Sequence, residues 1–270
     1  MARWPARWLA LLALCTAGLL HAAEPPPPRV LRICANVALG PPEGNSSPYL
    51  MMRRVQELLP GLRFEFSPLP WVRCLQEAGQ GRFDAVLSAS HTPQRAEHLR
   101  YPTGPQGELD DSKRMFQLGY ALLRRKGAAA QWDGNRFNGT SAVAGEALGA
   151  ERGYSVVQFA RAHGAHVEER SNITSLLESL RLGRLQGALL SQEHAAQLLT
   201  EPAWAQNHEL NGPALATRPY FLPVTAHLAE HEPALVASLW AAIEKVRRSP
   251  AFAQEYSLAV SWGQRRDLKP

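Results

Sequence analysis

Three hydroxyl side chains and one arginine follow a short apolar segment in the first third of the chain. Residues 83–87 are mostly apolar, Ser88, Ser90 and Thr92 follow, and Arg95 comes five residues after Ser90. An apolar run of this length with a β-branched residue is typical of a strand. In an open α/β sheet, ligands bind beyond the carboxyl ends of the strands. Hydroxyls and a guanidinium placed there suit a carboxylate, because the hydroxyls donate and the arginine contacts both oxygens.

A purely structural interpretation of the same residues is also open. Thr92 can cap a helix, and Pro93 suits the first position of that helix. Arg95 would then be an ordinary exposed residue in the first helical turn. The spacing by itself does not choose between the two interpretations.

The elements that must position these residues form a repeated strand–helix pattern, which is typical of a parallel, doubly wound sheet. In the first half we expect strands at 30–34, 62–67 and 83–87, and helices at 48–59 and 72–78. In the second half we expect strands at 120–124, 142–144, 167–170 and 187–190, helices at 153–163 and 173–182, and a loop at 132–138. An extended return at 214–227 and helices at 233–247 and 250–256 complete the pattern.

The repeat predicts an α/β fold of two doubly wound lobes. Residues 29–122 and 217–270 form lobe 1 in this interpretation, and residues 123–216 form lobe 2. The chain crosses between the lobes twice, near 120–124 and 214–220. Two crossing segments make a hinge that allows a cleft to close around a ligand.

The first 28 residues are expected to lie outside the fold. Arg3 and Arg7 precede an apolar segment at 9–20, which together indicate a signal peptide over residues 1–23. Cys15 would allow a lipoprotein, but Leu14 before it is bulky for the usual lipidation signal. Residues 24–28 form a proline-rich tether. We therefore expect an exported, periplasmic protein.

Composition argues against several classes of function. Removal of Arg3 and Arg7 lowers the formal net charge from +5 by two, and the remaining basic residues are scattered. A nucleic-acid partner is not expected, because the basic stripe that it needs is missing from the sequence. The histidines form no metal-binding motif, so neither a metal nor another cofactor is predicted.

Two cysteines remain in the mature chain, Cys34 and Cys74. An even pair in an oxidising compartment indicates a disulfide, although two buried thiols are the alternative. Cys34 ends the first predicted strand and Cys74 begins the helix after the second. Neighbouring parallel strands would bring these positions together.

Several motifs then resemble a known family, the periplasmic solute-binding proteins of the amino-acid-binding type (family 3, type II fold). The resemblance covers about residues 29–260, and the spacing from Trp71 to Asp84 also fits. It depends on Gly81-Arg82-Phe83-Asp84-Ala85, Ser88-x-Ser90-x-Thr92-x-x-Arg95, Tyr101-Pro102 and Gly183-Arg184-Leu185. The resemblance favours Arg95 as a binding residue.

The resemblance implies roles for residues in lobe 1. Arg95 would pair with the carboxylate of the ligand. Ser90, with the backbone around Ser88 and Ser90, would supply hydrogen bonds. Trp71 would provide an aromatic platform for the ligand, with a core tryptophan under the helix at 72–78 as the alternative.

It also implies a contribution from lobe 2. Gly153, Tyr154 and Ser155 would bring the start of a helix to the same carboxylate, where unpaired N–H groups favour an anion. An ordinary capped helix is the alternative for this segment.

Departures from the family concern the ammonium group of an amino acid. Ser191 stands where amino-acid binders usually have an aspartate, and Glu193 could substitute unless it only starts a solvated helix. Asn36 stands where an acidic residue is common, and Leu39 where an aromatic one is common. A carboxylate ligand without a strong ammonium requirement therefore fits as well as an amino acid does.

The expected function is capture of a small polar solute, without chemistry, by a monomer that serves an ABC transporter permease or a membrane sensor. An accessory protein with a degenerate ligand site is one alternative. A cyclohexadienyl-dehydratase-like enzyme is another, for which Glu193 and His91 are the evident acid–base candidates.

Overall fold

The computed structural model describes residues 28–257. The predicted signal peptide at 1–23 and residues 24–27 of the tether lie outside the described residues, as do residues 258–270. Between these limits, no helix is long and apolar enough to cross a membrane.

The described chain alternates short strands and helices. The strands are β1 (Arg29–Asn36), β2 (Leu62–Leu69), β3 (Ala85–Val86), β4 (Ala89–Ser90), β5 (Leu99–Arg100), β6 (Phe116–Arg125), β7 (Gln131–Trp132), β8 (Phe137–Asn138), β9 (Leu148–Glu151), β10 (Val167–Arg170), β11 (Gly187–Ser191), β12 (His208–Phe221) and β13 (Val224–Thr225). The helices are α1 (Ser47–Leu58), α2 (Trp71–Gly79), α3 (Pro93–Ala96), α4 (Ser155–Ala162), α5 (Ile173–Arg181), α6 (Gln192–Leu198), α7 (Pro202–Ala205), α8 (Ala226–His231) and α9 (Pro233–Arg247). Residues 250–257 are helical as well.

The first lobe contains a five-stranded sheet in the order β2-β1-β3-β13-β5. β1 pairs in parallel with β2 and β3, and β13 returns antiparallel to β3. Alternate residues of β1 pack on opposite faces: Leu31 and Ile33 lie in the cluster with α1 and α9, whereas Cys34 lies with Cys74 of α2. Burial of both faces explains why this strand is a nearly continuous apolar run.

A six-stranded sheet in the order β10-β9-β11-β6-β12-β4 forms the second lobe and extends through β12 to β4 of the first lobe. β9 is parallel to both β10 and β11, and β6 runs antiparallel to β11 and β12. One face packs on α4, and the other on α5 and α6. The two-lobed, doubly wound α/β fold expected from the sequence is therefore confirmed.

The two connections between the lobes form one ribbon. Residues 116–120 of β6 pair with residues 216–220 of β12. β12 also pairs with β4, where Tyr220 lies opposite Ser90. The strand that returns to lobe 1 thus contacts the segment that carries the hydroxyl motif.

The predicted disulfide is confirmed. Cys34 and Cys74 are bonded, with their Cα atoms 5.6 Å apart. Ser67 lies beside Cys34 in the β1–β2 pair, and α2 begins soon after β2 ends. The parallel pair therefore brings the second cysteine back over the first strand.

Three of the expected elements are wrong. Residues 142–144 form a turn instead of a strand, and Val143 there is 60% exposed; the buried strand begins five residues later, at Leu148. The loop expected at 132–138 is a hairpin of β7 and β8, in which Trp132 and Phe137 are buried. The extended return stops at Thr225, whose hydroxyl caps α8 by accepting from the amide of Leu228.

Candidate ligand-binding site

A cavity of about 260 Å³ lies between the two lobes. Its walls come from the carboxyl ends of strands in both sheets, the position where ligands bind in open α/β sheets. The lining residues are Asn36, Ala38, Leu39, Trp71, Ser88 and Arg95 from lobe 1, and Leu118, Tyr120, Glu151, Tyr154, Ser155, Ile173, Leu189, Leu190, Ser191, His194 and Tyr220 from the crossing strands and lobe 2.

Arg95 lies on the short helix α3 and reaches into this cavity. Thr92 caps α3 by accepting from the Arg95 amide at 3.3 Å, so the helix-capping interpretation describes the backbone correctly. The Arg95 side chain nevertheless lines the cavity. Nη1 donates to the Ser90 carbonyl at 2.7 Å and to the Ser90 hydroxyl at 2.9 Å, and Nη2 donates to the Gly153 carbonyl at 2.9 Å. Arg95 therefore joins the two lobes.

The serines of the motif support the arginine in different ways. Ser88 has a φ of 61°, which is rare for a residue other than glycine. Backbone strain of this kind concentrates at functional sites, and Ser88 lines the cavity. Ser90 is buried, and its hydroxyl donates to that of Ser155 at 2.9 Å. Tyr101 donates to the Ser90 carbonyl at 2.9 Å.

Trp71 is the first residue of α2 and forms part of the cavity wall. Its indole N–H donates to the Gly153 carbonyl at 3.1 Å, and the Arg95 guanidinium lies 5.2 Å from the ring centre. The Tyr154 ring meets it edge-on at 6.4 Å. Trp71 also packs against the core cluster around the disulfide, and its use as a platform for a ligand stays a prediction.

The start of α4 approaches lobe 1 closely at Gly153. This residue has a φ of +77°, and a Cβ atom there would lie 3.2 Å from Val72 and 3.3 Å from Trp71. Only glycine meets both conditions without strain. Tyr154 is the N-cap of α4, and Ser155 its first residue. Tyr154 and Ser155 line the cavity, whereas the Gly153 amide donates to Glu169 and the Tyr154 amide to the Glu151 carbonyl, each at 3.2 Å. Binding of a carboxylate at this helix start stays a prediction.

A chain of polar groups crosses the cleft beside the arginine. The Asn36 amide donates to the Tyr154 hydroxyl at 2.9 Å, and Tyr154 is in turn hydrogen-bonded to Glu151 at the end of β9. Burial raises the pKa of Glu151, and the bond with Tyr154 opposes that shift. Burial also raises the pKa of Tyr154, with Glu151 as the next cause. Sequence reasoning missed Glu151.

Two tyrosines of the crossing strands form a further part of the cavity wall. Tyr120 and Tyr220 line it, and their hydroxyls are hydrogen-bonded to each other. Burial raises the pKa of Tyr120 well above its usual value. Sequence reasoning missed this pair as well, although both tyrosines lie on the two predicted crossing segments.

Comparisons with known proteins bear on the fold. No family model matches the chain, and no curated protein sequence is significantly similar to it. Among solved structures, an ancestral arginine-binding protein bound to arginine is 16% identical, with a TM-score of 0.63 over 85% of this chain and 97% of the other. The fold is that of the type II periplasmic binding proteins.

Two further structures share this periplasmic-binding-protein fold. A histidine kinase sensor domain with similarity to periplasmic binding proteins is 14% identical, with a TM-score of 0.63 over 86% of this chain and 96% of that one. The ancestral amino acid-binding protein AncCDT-1, a precursor of cyclohexadienyl dehydratase, is 15% identical, with a TM-score of 0.61 over 86% of this chain and 95% of the other.

Ser191 and Glu193, the two residues considered for the ammonium position, lie in different surroundings in this fold. Ser191 lines the cavity, and its hydroxyl caps α6 by accepting from the His194 amide at 3.2 Å. Glu193 lies outside the lining, because successive helical residues are rotated by about 100°. It lies near Tyr256, whose pKa is raised by burial and then by Glu193. The structure therefore does not bring Glu193 to the site.

His91 also lies outside the cavity lining. Its ring packs edge-on against Tyr101, with ring centres 5.0 Å apart. Burial lowers the pKa of His91, and Arg95 lowers it further. Neither acid–base candidate of the dehydratase alternative thus faces the cavity.

Proposed function

We propose that the chain is a periplasmic substrate-binding protein that captures a small carboxylate-bearing solute, an amino acid or a related compound. The observation that carries the proposal is the guanidinium of Arg95 at the wall of an interlobe cavity. Arginine suits this role because its planar fork can bind both oxygens of a carboxylate.

The hydrogen bonds of Arg95 leave capacity for an anion. A guanidinium has five N–H donors, and three donor–acceptor contacts to Ser90 and Gly153 are present. Arg95 is also hydrogen-bonded to the Tyr101 hydroxyl. The donors that remain can bind a carboxylate, and Trp71 beneath the guanidinium keeps it in place. Ser88, Ser155 and the start of α4 surround the same position.

The proposal extends to organisation and partners. Residues 1–23 would direct export to the periplasm. Residues 29–122 with 217–270 would form the lobe that carries Arg95, and residues 123–216 would close onto it about the β6–β12 ribbon. A monomer that closes in this way would present the loaded form to an ABC transporter permease or to a membrane sensor. The structural likeness to a kinase sensor domain is compatible with the sensor.

One set of observations favours the accessory-protein alternative. Direct hydrogen bonds join the lobes from Asn36 to Tyr154, from Ser90 to Ser155 and from Trp71 to Gly153. Such contacts could hold the lobes closed without any solute. Under that alternative, the partner would recognise the closed protein itself.

Ligand screening separates these functions. Protein purified from the periplasm would be unfolded and refolded to remove bound solute. It would then be screened against amino acids and simple carboxylic acids by thermal shift, followed by calorimetry on each hit. We expect at least one carboxylate to raise the melting temperature, with the shift lost in Arg95→Ala and kept in Arg63→Ala, since Arg63 is 65% exposed and pairs with Glu65. Absence of any shift would favour the accessory protein.

A further inference from the structure

Glu151 places a carboxylate in the same cavity as Arg95. It is the last residue of β9, lines the cavity and is half-buried. The cavity thus offers one cationic and one anionic side chain, supplied by different lobes.

The cross-strand neighbour of Glu151 does not neutralise it. Arg170 lies directly beside it in the β9–β10 pair. Its guanidinium instead pairs with Glu168 at 2.7 Å and donates to Ser179 at 2.9 Å. From residue 28 to residue 257, no ion pair involves Glu151. Its carboxylate is hydrogen-bonded by the neutral phenol of Tyr154 and by the backbone amide of Ile173.

A carboxylate that has lost part of its hydration is costly unless a cation or hydrogen bonds replace the water. The bonds from Tyr154 and from the Ile173 amide satisfy only part of its accepting capacity, since a carboxylate has about four lone-pair sites. The group therefore suits a cationic partner that arrives with the ligand.

We infer that Glu151 binds the ammonium group of a zwitterionic ligand whose carboxylate is held by Arg95. This inference rests on the proposed function. Glu151 supplies the negative charge that is missing at Ser191, the position at which the resemblance implied an aspartate. The hydrogen bond from Asn36, in the opposite lobe, orients the Tyr154 hydroxyl that contacts Glu151.

The remaining walls define the body of the ligand. Apart from the charged and hydroxyl groups, Asn36 and His194, the cavity is lined by apolar side chains, among them Leu39, Trp71, Leu118, Ile173, Leu189 and Leu190. Burial of an apolar side chain against them is favourable by roughly 25 cal/mol per Å². The ligand class is therefore an α-amino acid with an apolar side chain, such as L-leucine or L-phenylalanine.

The test compares each amino acid with analogues that lack one charge. L-leucine is set against 4-methylpentanoate, which lacks the amine, and against 3-methylbutylamine, which lacks the carboxylate; L-phenylalanine is set against 3-phenylpropanoate and phenylethylamine. Calorimetry is run on the wild type, on Glu151→Gln and on Glu178→Gln as a control, because Glu178 is exposed and pairs with Arg181. Glutamine keeps the shape and can still bond to Tyr154.

We expect Glu151→Gln to lower the affinity for the amino acid by at least tenfold. The affinity for the amine-free acid should stay the same or rise. The tenfold loss corresponds to that of a charge-assisted hydrogen bond. Equal amino-acid affinities in wild type and Glu151→Gln, or equal wild-type affinities for acid and amino acid, would overturn the role of Glu151. Binding of other carboxylates without L-leucine or L-phenylalanine would overturn the ligand class but keep the proposed function. If no carboxylate binds, the proposed function itself fails.

Discussion

Removal of the Cys34–Cys74 disulfide should lower the free energy of unfolding by about 4 kcal/mol. The disulfide closes a loop with a sequence separation of 40 residues. The loss of chain entropy on closure is worth roughly 3 kcal/mol for a loop of ~15 residues and ~4.7 kcal/mol for one of ~100 residues. A value between these limits follows for the double variant Cys34→Ala, Cys74→Ala.

The same variant should also weaken the site. Asn36 lies two residues after Cys34 in β1, and Trp71 lies three residues before Cys74 in α2. Both line the cavity. The disulfide therefore holds two walls of the cavity at a fixed separation, and its removal should reduce ligand affinity in addition to stability.

Equilibrium unfolding in guanidinium chloride, followed by tryptophan fluorescence, measures the effect. The oxidised wild type is compared with the double variant and with wild type in the presence of a reductant. The variant and the reduced protein should unfold together, at a lower denaturant concentration than the oxidised protein. A difference of under about 1 kcal/mol between oxidised wild type and variant would refute the entropic reasoning.

Three further predictions concern local structure. Gly153→Ala should destabilise the fold by about 1–2 kcal/mol in chemical unfolding, because the left-handed backbone is unfavourable for alanine and its Cβ would press on Val72 and Trp71. Asn172→Ala should cost about 1 kcal/mol in the same assay, since its side chain forms the capping box of α5. Burial raises the pKa of Tyr101 to about 12. The folded state therefore keeps this phenol protonated where the unfolded chain ionises. The contribution of Tyr101 to stability should be complete below about pH 10 and fall above it. When unfolding is measured from pH 8 to pH 11, the fall should be less steep in Tyr101→Phe.

Each of these predictions has a result that would contradict it. Gly153→Ala with wild-type stability would mean that the turn relaxes at no cost. An unchanged midpoint in Asn172→Ala would show that solvent replaces the cap. Identical alkaline profiles for wild type and Tyr101→Phe would show that other groups control the loss of stability.

Local sequence patterns predicted much of the fold. Helix α9 was predicted with its observed limits, because Leu239, Ile243 and Val246 recur at helical spacing and are buried. The disulfide followed from the order of strands and helices. The prediction of a strand at 142–144 was wrong because a short apolar run does not distinguish a turn from a strand. The buried strand instead begins at Leu148.

The candidate site was predictable only where its residues form a compact motif. Arg95 and the serines before it are local in sequence, and the structure places Arg95 in the cavity. Glu151, Tyr120 and Tyr220 come from separate strands, and only the tertiary fold brings them together. Glu193 was considered for its charge, but the helical rotation that directs it outward could not be judged without knowing where α6 begins.

The central claim is that Arg95 binds a carboxylate in the interlobe cavity. Its most direct test is calorimetric titration of the best carboxylate from the screen into wild type and Arg95→Ala, with circular dichroism to show that both are folded. Loss of one member of a buried charged pair typically costs ~3–5 kcal/mol, so we predict a loss of affinity of more than about a hundredfold. Equal affinities in the two proteins would contradict the claim and remove Arg95 from the site.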